Sequence, residues 1–478
     1  MKYIPTIGIE CHVQLKTKTK LFSEVDNDAR GKEPNSCVSP VDYALPGMLP
    51  RLNEGAVRLA IRAGFAMNCH INPNSRFDRK HYFYPDSPKG YQITQFYSPI
   101  IGEGYIELPS GTKVRIEHAH LEGDAGKLTH FDTYSLVDLN RVDTPLIEIV
   151  SQPDIHSAAD ARDYCKELWR IMTFADVTNG DLYNGNMRFD VNISIAEEGS
   201  STLGTRAEVK NLNSFRSVER AVEYEIKRQS QILDEGGKVV QETRGWSDAT
   251  GETSSQRSKE VAADYRYMPE PDIPPLCLSE EYIEAEHSLI PLLPSDYRNI
   301  YGDIIPTNIM EILLDYPALM SKIHELSKGD ISSNKDSIRT ISNLFVSVLL
   351  AEEKSYEMLE HLPSFELLSE LAEMNEKKEL SSTATKEVFL KFFDPDMKGK
   401  SAHIIAKELN LLQENDLGAL EKIIDEVLAN PATKKAQEDY KAGEVKVIGF
   451  LVGQVMKASQ GKANPAAAQK ILRDKLSS

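Results

Sequence analysis

Apolar and polar residues alternate strictly at the start of the chain, from Ile7 to Leu15. A period of two predicts a strand with one buried face, so that Glu10 and His12 point together to the other face. The alternation recurs over 187–195 and 206–210. An ordinary solvated face is one interpretation, but short acids, amides and cations shared by three strands favour a concave functional site. The polar positions are Gly8, Glu10, His12, Gln14, Arg188, Asp190, Asn192, Ser194, Arg206, Glu208 and Lys210.

Helical spacing of apolar residues appears at 57–65 and again after Ser157, which can cap a helix together with Asp160 three residues on. Beyond residue 294, Leu, Glu, Lys and Ser at helical spacing replace the alternating pattern. We therefore predict an α+β fold. A domain of mixed strands and helices with a polar-faced antiparallel sheet (1–292) precedes two all-α domains, a middle domain (293–404) and a tail (405–478).

The charge of the chain is distributed unevenly. A formal net charge of −18 over 478 residues speaks against nucleic acid as a partner. From Lys446 to the end, however, the net charge is +5, which is the electrostatic footprint that a polyanion needs. The clearest helix of this tail carries Gly449 and Gly453, and we expect these glycines to let another backbone approach closely.

Cysteine usage and hydropathy exclude several classes of protein. Five scattered cysteines without a CxxC pair argue against a disulfide framework and against a thiolate zinc site. No apolar run reaches the ~18 residues that a membrane-spanning helix needs. The first residues lead directly into a strand, without the apolar core of a signal peptide. We expect a cytoplasmic protein with no membrane partner.

The segment 77–96 combines cations, aromatic residues and prolines without a clear strand or helix period. From the residues alone, an ordinary loop held by its aromatic side chains and a surface for phosphates and bases are equally good interpretations. Neither a P-loop nor a GxGxxG motif occurs in the chain, so a nucleotide would bind by another route. The cations are Arg79, Lys80 and Lys89, and the aromatic residues include Tyr82, Phe83, Tyr84 and Tyr91.

Several long motifs occur in the first part of the chain: IGIECHVQL, FDRKHYFYPDSPKGYQITQF, HLEGDAGK, SLVDLNR followed by TPLIEIVSQPD, GTRAEVKNLNSF and DYRYMPEPDIPPL. Together they closely resemble the B-subunit family of the glutamyl/aspartyl-tRNA amidotransferases. The similarity covers nearly all of residues 4–277 and returns at GFLVGQVMKASQGKANP, residues 449–465. It is weak between these two regions.

The resemblance implies a cradle domain, a helical middle domain and a helical tail, in a complex with an amidase-like A subunit and a small C subunit. The B subunits of this family phosphorylate misacylated Glu-tRNA(Gln) or Asp-tRNA(Asn) with ATP, and ammonia released from glutamine then displaces the phosphate. A carboxylate is a poor electrophile until it becomes an acyl phosphate. Phosphoryl transfer needs Mg²⁺ and cations to neutralise the clustered oxygens. The implied enzyme is a ligase that forms C–N bonds, with Mg²⁺ as cofactor and ATP as substrate.

The resemblance also implies roles for individual residues. Oxygen ligands suit Mg²⁺, and His12, as an unusual ligand, could instead orient a carboxylate or a water. Lys80 and Lys210 are expected to stabilise phosphate or the intermediate. The implied metal ligands are His12, Glu122 and Glu148, and the implied catalytic residues are Glu10, His12, Lys80, Asp190, Glu208 and Lys210. The positive charge of the tail, rather than the resemblance, predicts the tRNA contacts Lys446, Lys457 and Lys462.

The chain departs from the family pattern at several positions. Gly123 replaces a second glutamate, and Asp143 replaces a glycine. Gln152 replaces another glutamate, and Tyr183 with Asn184 replaces an acidic pair. Some members of the family bind zinc through four cysteines, but we expect no zinc here. The matching positions are Ser23, Val25, Ser39 and Asp42.

Two functions remain open from the sequence. The chain is either the catalytic member of the complex or a diverged, non-catalytic one that binds tRNA and acts as a scaffold. The lost acids favour the second function slightly. The retained polar residues favour the first more strongly, because a relaxed pocket is expected to lose them too. ATP hydrolysis that depends on misacylated tRNA would distinguish the two, whereas the preference for Glu-tRNA(Gln) or Asp-tRNA(Asn) does not follow from the sequence.

Overall fold

The computed structural model describes residues 2–258, 264–327, 331, 334–413, 417–459, 463 and 465–477. The chain divides into two compact units, Met1–Pro294 and Ser295–Ser478. The first is rich in strands and the second is helical, which confirms the predicted α+β class. The division after residue 294 lies close to the predicted boundary after 292, and the further division near 404 stays a prediction.

All strands of the described residues lie in the first unit and end before residue 278. They are β1 (Tyr3–Gln14), β2 (Asn74–Ser75), β3 (Asp78–His81), β4 (Tyr91–Thr94), β5 (Gly104–Glu107), β6 (Lys113–Gly123), β7 (Lys127–His130), β8 (Ser135–Asp138), β9 (Pro145–Ser151), β10 (Met187–Glu197), β11 (Ala207–Leu212), β12 (Glu242–Ser247), β13 (Glu252–Ser258), β14 (Met268–Pro269) and β15 (Leu276–Cys277).

The helices are distributed as predicted, with a few in the first unit and a continuous series in the second. They are α1 (Glu54–Ala66), α2 (Ala158–Phe174), α3 (Phe215–Asp234), α4 (Glu280–His287), α5 (Pro294–Tyr301), α6 (Thr307–Leu313), α7 (Pro317–Leu326), α8 (Lys335–Ser347), α9 (Ser355–Leu359), α10 (Phe365–Glu376), α11 (Ser382–Lys391), α12 (Ala402–Glu408), α13 (Leu417–Ala429), α14 (Lys434–Lys441), α15 (Ile448–Ala458) and α16 (Pro465–Ser477).

Within the described residues, the largest sheet has eight strands in the order β13-β12-β11-β10-β1-β9-β6-β5. Its neighbouring strands are antiparallel except for β11 and β12, which are parallel. The predicted antiparallel sheet is wrong at this one pair. Helix α3 lies between the two strands in the chain, and such a crossover returns the second strand in the direction of the first.

Strand β1 lies near the middle of this sheet and has two different faces. Its apolar side chains Ile7, Ile9 and Cys11 are at most 1% exposed and belong to the core of the unit. Residues of α1, α2 and α3 complete that core, so a helical layer covers the apolar face. Glu10 and His12 lie on the opposite face, as the alternation predicts.

Helix α2 begins where the sequence predicts. The hydroxyl of Ser157 accepts a hydrogen bond from the backbone N–H of Asp160 at 3.0 Å, which satisfies one of the free donors of the first turn. The predicted apolar stripe of this helix is buried, including Tyr164, Cys165 and Leu168. These side chains pack under the sheet and support the strands that carry the polar face.

The tail helices α13, α15 and α16 share a hydrophobic core that includes Ile424, Leu451 and Leu472. Within the described part of this chain, no other backbone approaches Gly449 or Gly453. Among the described residues, a Cβ added at either glycine would meet no atom within 4 Å. No helix in the described part of the chain is long and apolar enough to cross a membrane.

Candidate metal and catalytic site

Three adjacent strands bring one histidine and two glutamates together on the polar face of the large sheet. His12 of β1 lies directly opposite Glu148 of β9, and Glu122 comes from β6 on the other side of β9. His12 Nε2 lies 3.5 Å from Glu122 Oε1 and 3.5 Å from Glu148 Oε2. One donor atom of each residue lies within 4.8 Å of the others. The structure thus assembles the three predicted metal ligands into a group that we name the His12 cluster.

His120, which the sequence argument missed, lies against the same two glutamates. Its Nε2 is 3.8 Å from Glu122 Oε2 and 3.6 Å from Glu148 Oε2. Its Nδ1 is buried, with no hydrogen-bond partner among the described residues. The signal was present in the sequence, because His118, His120 and Glu122 alternate with apolar residues just as the polar residues of β1 do.

The charged groups of the His12 cluster shift one another's pKa. Burial disfavours a charged imidazole, but the hydrogen bond to Glu148 and the nearby acids outweigh burial and raise the pKa of His12 to about 9. Burial also opposes ionisation of Glu148, yet His120 and His12 hold its pKa well below the usual range. Without a metal, the cluster therefore pairs a protonated His12 with an ionised Glu148. A divalent cation that binds through His12 Nε2 must displace this proton.

Beside the His12 cluster, three acids surround the ammonium of Lys210; we name these four residues the Lys210 cluster. Glu10 of β1 lies opposite Asp190 of β10, and Glu208 comes from β11, the next strand of the sheet. One oxygen of each acid lies within 4.8 Å of the others. Lys210 Nζ lies 2.9 Å from Asp190 Oδ2 and 2.9 Å from Glu208 Oε1. Four of the predicted catalytic residues therefore form one group.

Burial and mutual charge also shift the pKa values in the Lys210 cluster. Burial lowers the pKa of the Lys210 ammonium, but Asp190 and Glu208 outweigh burial, so that this pKa is raised. Burial and the charge of Glu148 raise the pKa of Glu10, although Asn192 donates a hydrogen bond to Glu10 Oε1 at 2.8 Å. A carboxyl group with a raised pKa beside a fixed ammonium is suited to exchange a proton with a bound substrate.

Lys80 reaches this region from β3, which belongs to a smaller sheet with β4 and β14. Its Nζ lies 5.0 Å from the centroid of the Tyr265 ring. Burial lowers the pKa of Lys80, but Glu122, Tyr267 and Glu148 outweigh burial and raise it. The ammonium of Lys80 therefore lies within electrostatic reach of the His12 cluster.

Arg188 adds a further cation to this region. It binds Asp124, an aspartate that the sequence analysis did not select. Arg188 lies opposite His12 in the β1–β10 ladder, and its Nη2 donates to Asp124 Oδ2 at 3.2 Å. Arg141 donates to the same oxygen at 3.1 Å. Burial raises the pKa of Asp124, but these two guanidinium groups outweigh burial and lower it. Asp124 therefore stays ionised and orients Arg188 beside His12.

A polar cavity of about 480 Å³ lies at the end of β1, where Gln14 follows His12 by two residues. A volume of this size is typical of sites for small organic ligands and cofactors. Asp28 and Asp138 also line the cavity, and Arg30 and Lys32 pair with acids, so its wall is polar rather than uniformly cationic. Cations and amides are nevertheless the most numerous lining residues. They include Arg30, Lys32, Lys127, Asn140, Arg141 and Asn186.

Comparison with known proteins agrees with this geometry. The family described as GatB/GatE catalytic domain matches residues 5–284, and the family described as GatB domain matches residues 324–476. The B subunit of the aspartyl/glutamyl-tRNA(Asn/Gln) amidotransferase of Persephonella marina is 43% identical over 100% of both chains. The protein of the same name from Geobacter sulfurreducens is 42% identical over 100% of both, and that from Carboxydothermus hydrogenoformans is 41% identical over 99% of both. The chain belongs to the B-subunit family of these amidotransferases.

Two departures from the family pattern are neighbours in space. Gly123 ends β6, and a Cβ added to it would lie only 2.6 Å from Asp143 Oδ1. Asp143 itself has a φ of +58°, a left-handed conformation in which glycine is more usual. Its carboxylate binds the ammonium of Lys89. The carboxylate of Asp143 therefore lies in the space that a side chain at position 123 would need.

The other departures lie in different surroundings. Gln152 Nε2 lies 3.5 Å from Glu117 Oε2, and the side chain of Tyr183 is almost fully exposed. Asn184 lines the 480 Å³ cavity, and its backbone N–H donates to Asp181 Oδ1 at 3.0 Å. Of these three positions, only 184 lies on the cavity wall, where the resemblance implies an acid and this chain has an amide.

A buried ion pair lies among the four positions for which the resemblance implies zinc ligands in some relatives. Lys20 Nζ lies 3.3 Å from Asp42 Oδ2, and both side chains are fully buried. The same oxygen accepts the backbone N–H of Ser39 at 2.7 Å and the hydroxyl of Ser23 at 3.4 Å. Burial lowers the pKa of Lys20. These contacts connect the segment without a metal, and the expected lack of zinc stays a prediction.

The predicted tRNA contacts lie in the tail. Lys446 is exposed in a short turn before α15, and Lys457 is exposed in the last turn of that helix. Lys462 lies outside the described residues. The two described lysines are accessible to a polyanion, and their role in tRNA binding stays a prediction.

Proposed function

We propose that this chain is the activating component of a cytoplasmic, glutamine-dependent tRNA amidotransferase. It phosphorylates the free carboxylate of Glu-tRNA(Gln), Asp-tRNA(Asn) or both with ATP. Ammonia released from glutamine by an amidase-like A subunit then forms the amide, and a small C subunit completes the heterotrimer. The observation that carries this proposal is the placement of the His12 and Lys210 clusters side by side on one sheet, in a chain of this amidotransferase family.

The donor set of the His12 cluster fits a divalent cation. Two carboxylates and one imidazole converge, and the carboxylate oxygens are the ligands that Mg²⁺ prefers. His12, Glu122 and Glu148 would hold the ion. When bound, Mg²⁺ neutralises the clustered oxygens of a transferring phosphoryl group.

The chain's own residues perform the remaining tasks. Lys80, Arg188 and Lys210 place three cations around the acids, where they stabilise negative charge on the phosphate and on the acyl phosphate. Asp190 and Glu208 hold the Lys210 ammonium in place. The substrate carboxylate is itself the nucleophile in the first step, so the chain needs no nucleophile of its own.

The 480 Å³ cavity supports the assignment of ATP as substrate. Its cations and amides suit a polyphosphate and the polar edge of a base, and Gln14 in its wall follows His12 by two residues in β1. This placement would bring the terminal phosphate toward the acids and cations of the sheet.

The test is ATP hydrolysis that depends on misacylated tRNA, measured with the A and C subunits present. Glu122→Gln removes a metal-binding charge but keeps the size of the side chain, so we expect the rate to fall about 100-fold or more. Glu107→Gln is the matched control, because this glutamate of the neighbouring strand β5 is 55% exposed and pairs with Lys113. We expect this control to keep the wild-type rate.

Two outcomes would contradict the proposal. If the wild-type complex bound misacylated tRNA without any tRNA-dependent hydrolysis, the chain would be a scaffold. If Glu122→Gln kept the wild-type rate and its Mg²⁺ dependence, the His12 cluster would not be the metal site. Comparing Glu-tRNA(Gln) with Asp-tRNA(Asn) in the same assay identifies the substrate.

A further inference from the structure

The side chains at positions 123 and 143 compete for a single volume at the end of β6, the strand that carries Glu122. A Cβ at Gly123 would lie 2.6 Å from Asp143 Oδ1 and 3.2 Å from Asp143 Cα. Both contacts are closer than real Cβ contacts normally are. Gly123 directly follows Glu122, one of the proposed metal ligands. The carboxylate of Asp143 can occupy its present place only because residue 123 has no side chain.

The backbone around Asp143 holds this carboxylate in position. Its N–H donates to the carbonyl of Asp124 at 2.9 Å, and its carbonyl accepts the N–H of Leu21 at 2.9 Å. The φ of +58° is one that aspartate, asparagine and glycine adopt most readily. Replacement by asparagine or glycine therefore removes the charge without straining the backbone.

The partner of this carboxylate is a lysine in the wall of a second, smaller cavity. Asp143 binds the ammonium of Lys89, and the side chains are 4% and 9% exposed. Lys89 Nζ lies 5.6 Å from the centroid of the Phe22 ring, which covers another side of the ammonium. The cavity has a volume of about 180 Å³, and both Lys89 and Gly123 line it. The ion pair thus fixes a cation in a wall that Lys80 and Asp124 share.

Other acids in the same wall could capture this cation if Asp143 were lost. Asp86 and Asp124 line the cavity together with Lys89. Asp124 at present binds Arg188, which lies opposite His12. A released Lys89 would compete for Asp124 and would change the position of Arg188.

We propose that Asp143 is a positioning residue of the amidotransferase reaction: it fixes Lys89, keeps Asp124 bound to Arg188, and depends on the missing side chain at Gly123. This inference rests on the proposed function above. The Cβ of a residue at 123 would start beside the present carboxylate, so a glutamate there could bind Lys89 once Asp143 is removed. The site requires one carboxylate in this volume, from either position.

The first experiment measures kcat and KM for ATP hydrolysis with misacylated tRNA, using the full chain with its A and C subunits. For Asp143→Asn we expect kcat to fall about 10- to 100-fold, because a small displacement of catalytic groups has effects of this size. The KM for tRNA is expected to stay within about threefold of wild type, since the tRNA contacts are unchanged.

The matched control is Asp234→Asn. Asp234 also binds a lysine, Lys2, but the side chains of both residues are more than half exposed. Neither residue belongs to the His12 cluster, the Lys210 cluster or the wall of the 480 Å³ cavity. We expect this variant to keep the wild-type kcat and KM, because the lysine it releases is hydrated rather than buried.

The second experiment tests rescue from the other position. Asp143→Gly alone and Gly123→Ala alone are both expected to lower kcat, the first by removing the carboxylate and the second by displacing it. The double variant Gly123→Glu/Asp143→Gly should return kcat to within about fivefold of wild type, because contacting positions are not additive. Gly123→Gln/Asp143→Gly has the same shape without the charge and should stay low.

Two results in an active wild-type complex would overturn this inference alone. One is an unchanged kcat for Asp143→Asn. The other is equal rescue by glutamine and glutamate at position 123. This result would show that positions 123 and 143 act through packing rather than through charge. A wild-type complex without tRNA-dependent hydrolysis would instead overturn the proposed function, and this inference with it.

Discussion

At the scale of single residues, the protonation of His12 is determined by the two glutamates that contact it. The pKa of His12 is raised to about 9, above the value of 6.5 for an unperturbed imidazole. A group whose pKa is higher in the folded state stabilises the fold fully below its unfolded pKa, and loses that contribution as the pH rises through the folded pKa. In the absence of metal, His12 therefore stabilises the protein at pH 6 and no longer does so at pH 10.

We expect the free energy of unfolding to differ between wild type and His12→Gln by about 2 kcal/mol at pH 6, and by much less at pH 10. Urea titrations with EDTA present would measure the difference. His118→Gln is the control, because burial and His120 lower the pKa of His118. The contribution of His118 to the free energy of unfolding should therefore become more favourable as the pH rises. A difference for His12→Gln that is the same at pH 6 and pH 10 would show that His12 is neutral in the folded protein.

At the scale of elements, the two faces of strand β1 differ in what they contribute. The apolar face stabilises the core, and the polar face carries the site residues. Ile9 is 1% exposed in the core, whereas Ile4 on the other face is 39% exposed. Ile9→Ala leaves a cavity, so we expect a loss of about 2–5 kcal/mol in the free energy of unfolding. Ile4→Ala should cost less than about 1 kcal/mol.

The fluorescence of tryptophan provides a clean measurement of this difference. Both tryptophans of the chain, Trp169 and Trp246, lie in the unit Met1–Pro294. Urea unfolding followed by tryptophan emission therefore reports on the unit that contains β1. Equal losses for Ile9→Ala and Ile4→Ala would contradict the assignment of the two faces.

At the scale of the whole molecule, charge is separated along the chain. The net charge is −18, yet the last 33 residues from Lys446 carry +5. If Lys446 and Lys457 contact tRNA phosphates, binding releases the counterions that were condensed on those phosphates. Lys446→Ala/Lys457→Ala should then flatten the slope of log K against log salt by roughly two units. Filter binding of misacylated tRNA to the complex at several salt concentrations would measure the slope.

The matched control for the tail is Lys354→Ala/Lys377→Ala. These lysines are also exposed and lie in the same helical unit, but before the tail. The net charge changes by the same amount, and we expect an unchanged slope. If both double variants flattened the slope equally, the effect would come from total charge rather than from contacts in the tail.

The elements of the first unit could be predicted because their signals are local. The alternation over β1, β10 and β11 and the Ser157 cap of α2 each depend on residues a few positions apart, and the structure has the expected elements. The same rule would have found His120, had it been applied to β6. The parallel pairing of β11 with β12 could not be predicted in this way, since it depends on the path of the chain through α3.

The selection of the predicted site residues depended on the family resemblance, not on the periodicity of the sequence. Alternation alone assigns Glu10, His12 and Asp190 to polar faces, but it does not select Glu122 or Glu148 as their neighbours. The exchange between Gly123 and Asp143 was also hidden. In the sequence, Gly123 and Asp143 are two unrelated departures from the family pattern. Only the structure connects them, because a Cβ at Gly123 would lie 2.6 Å from Asp143 Oδ1.

The sequence by itself determined which side chains share a face, because the period of a strand is set by its own backbone geometry. It also determined the change from strands to helices near residue 294 and the positive charge of the tail. The tertiary structure decided which strands are neighbours, and hence that His12 meets Glu122 and Glu148. Such contacts join residues more than 100 positions apart, and they form only when the strands find their partners while the apolar face is buried against the helices.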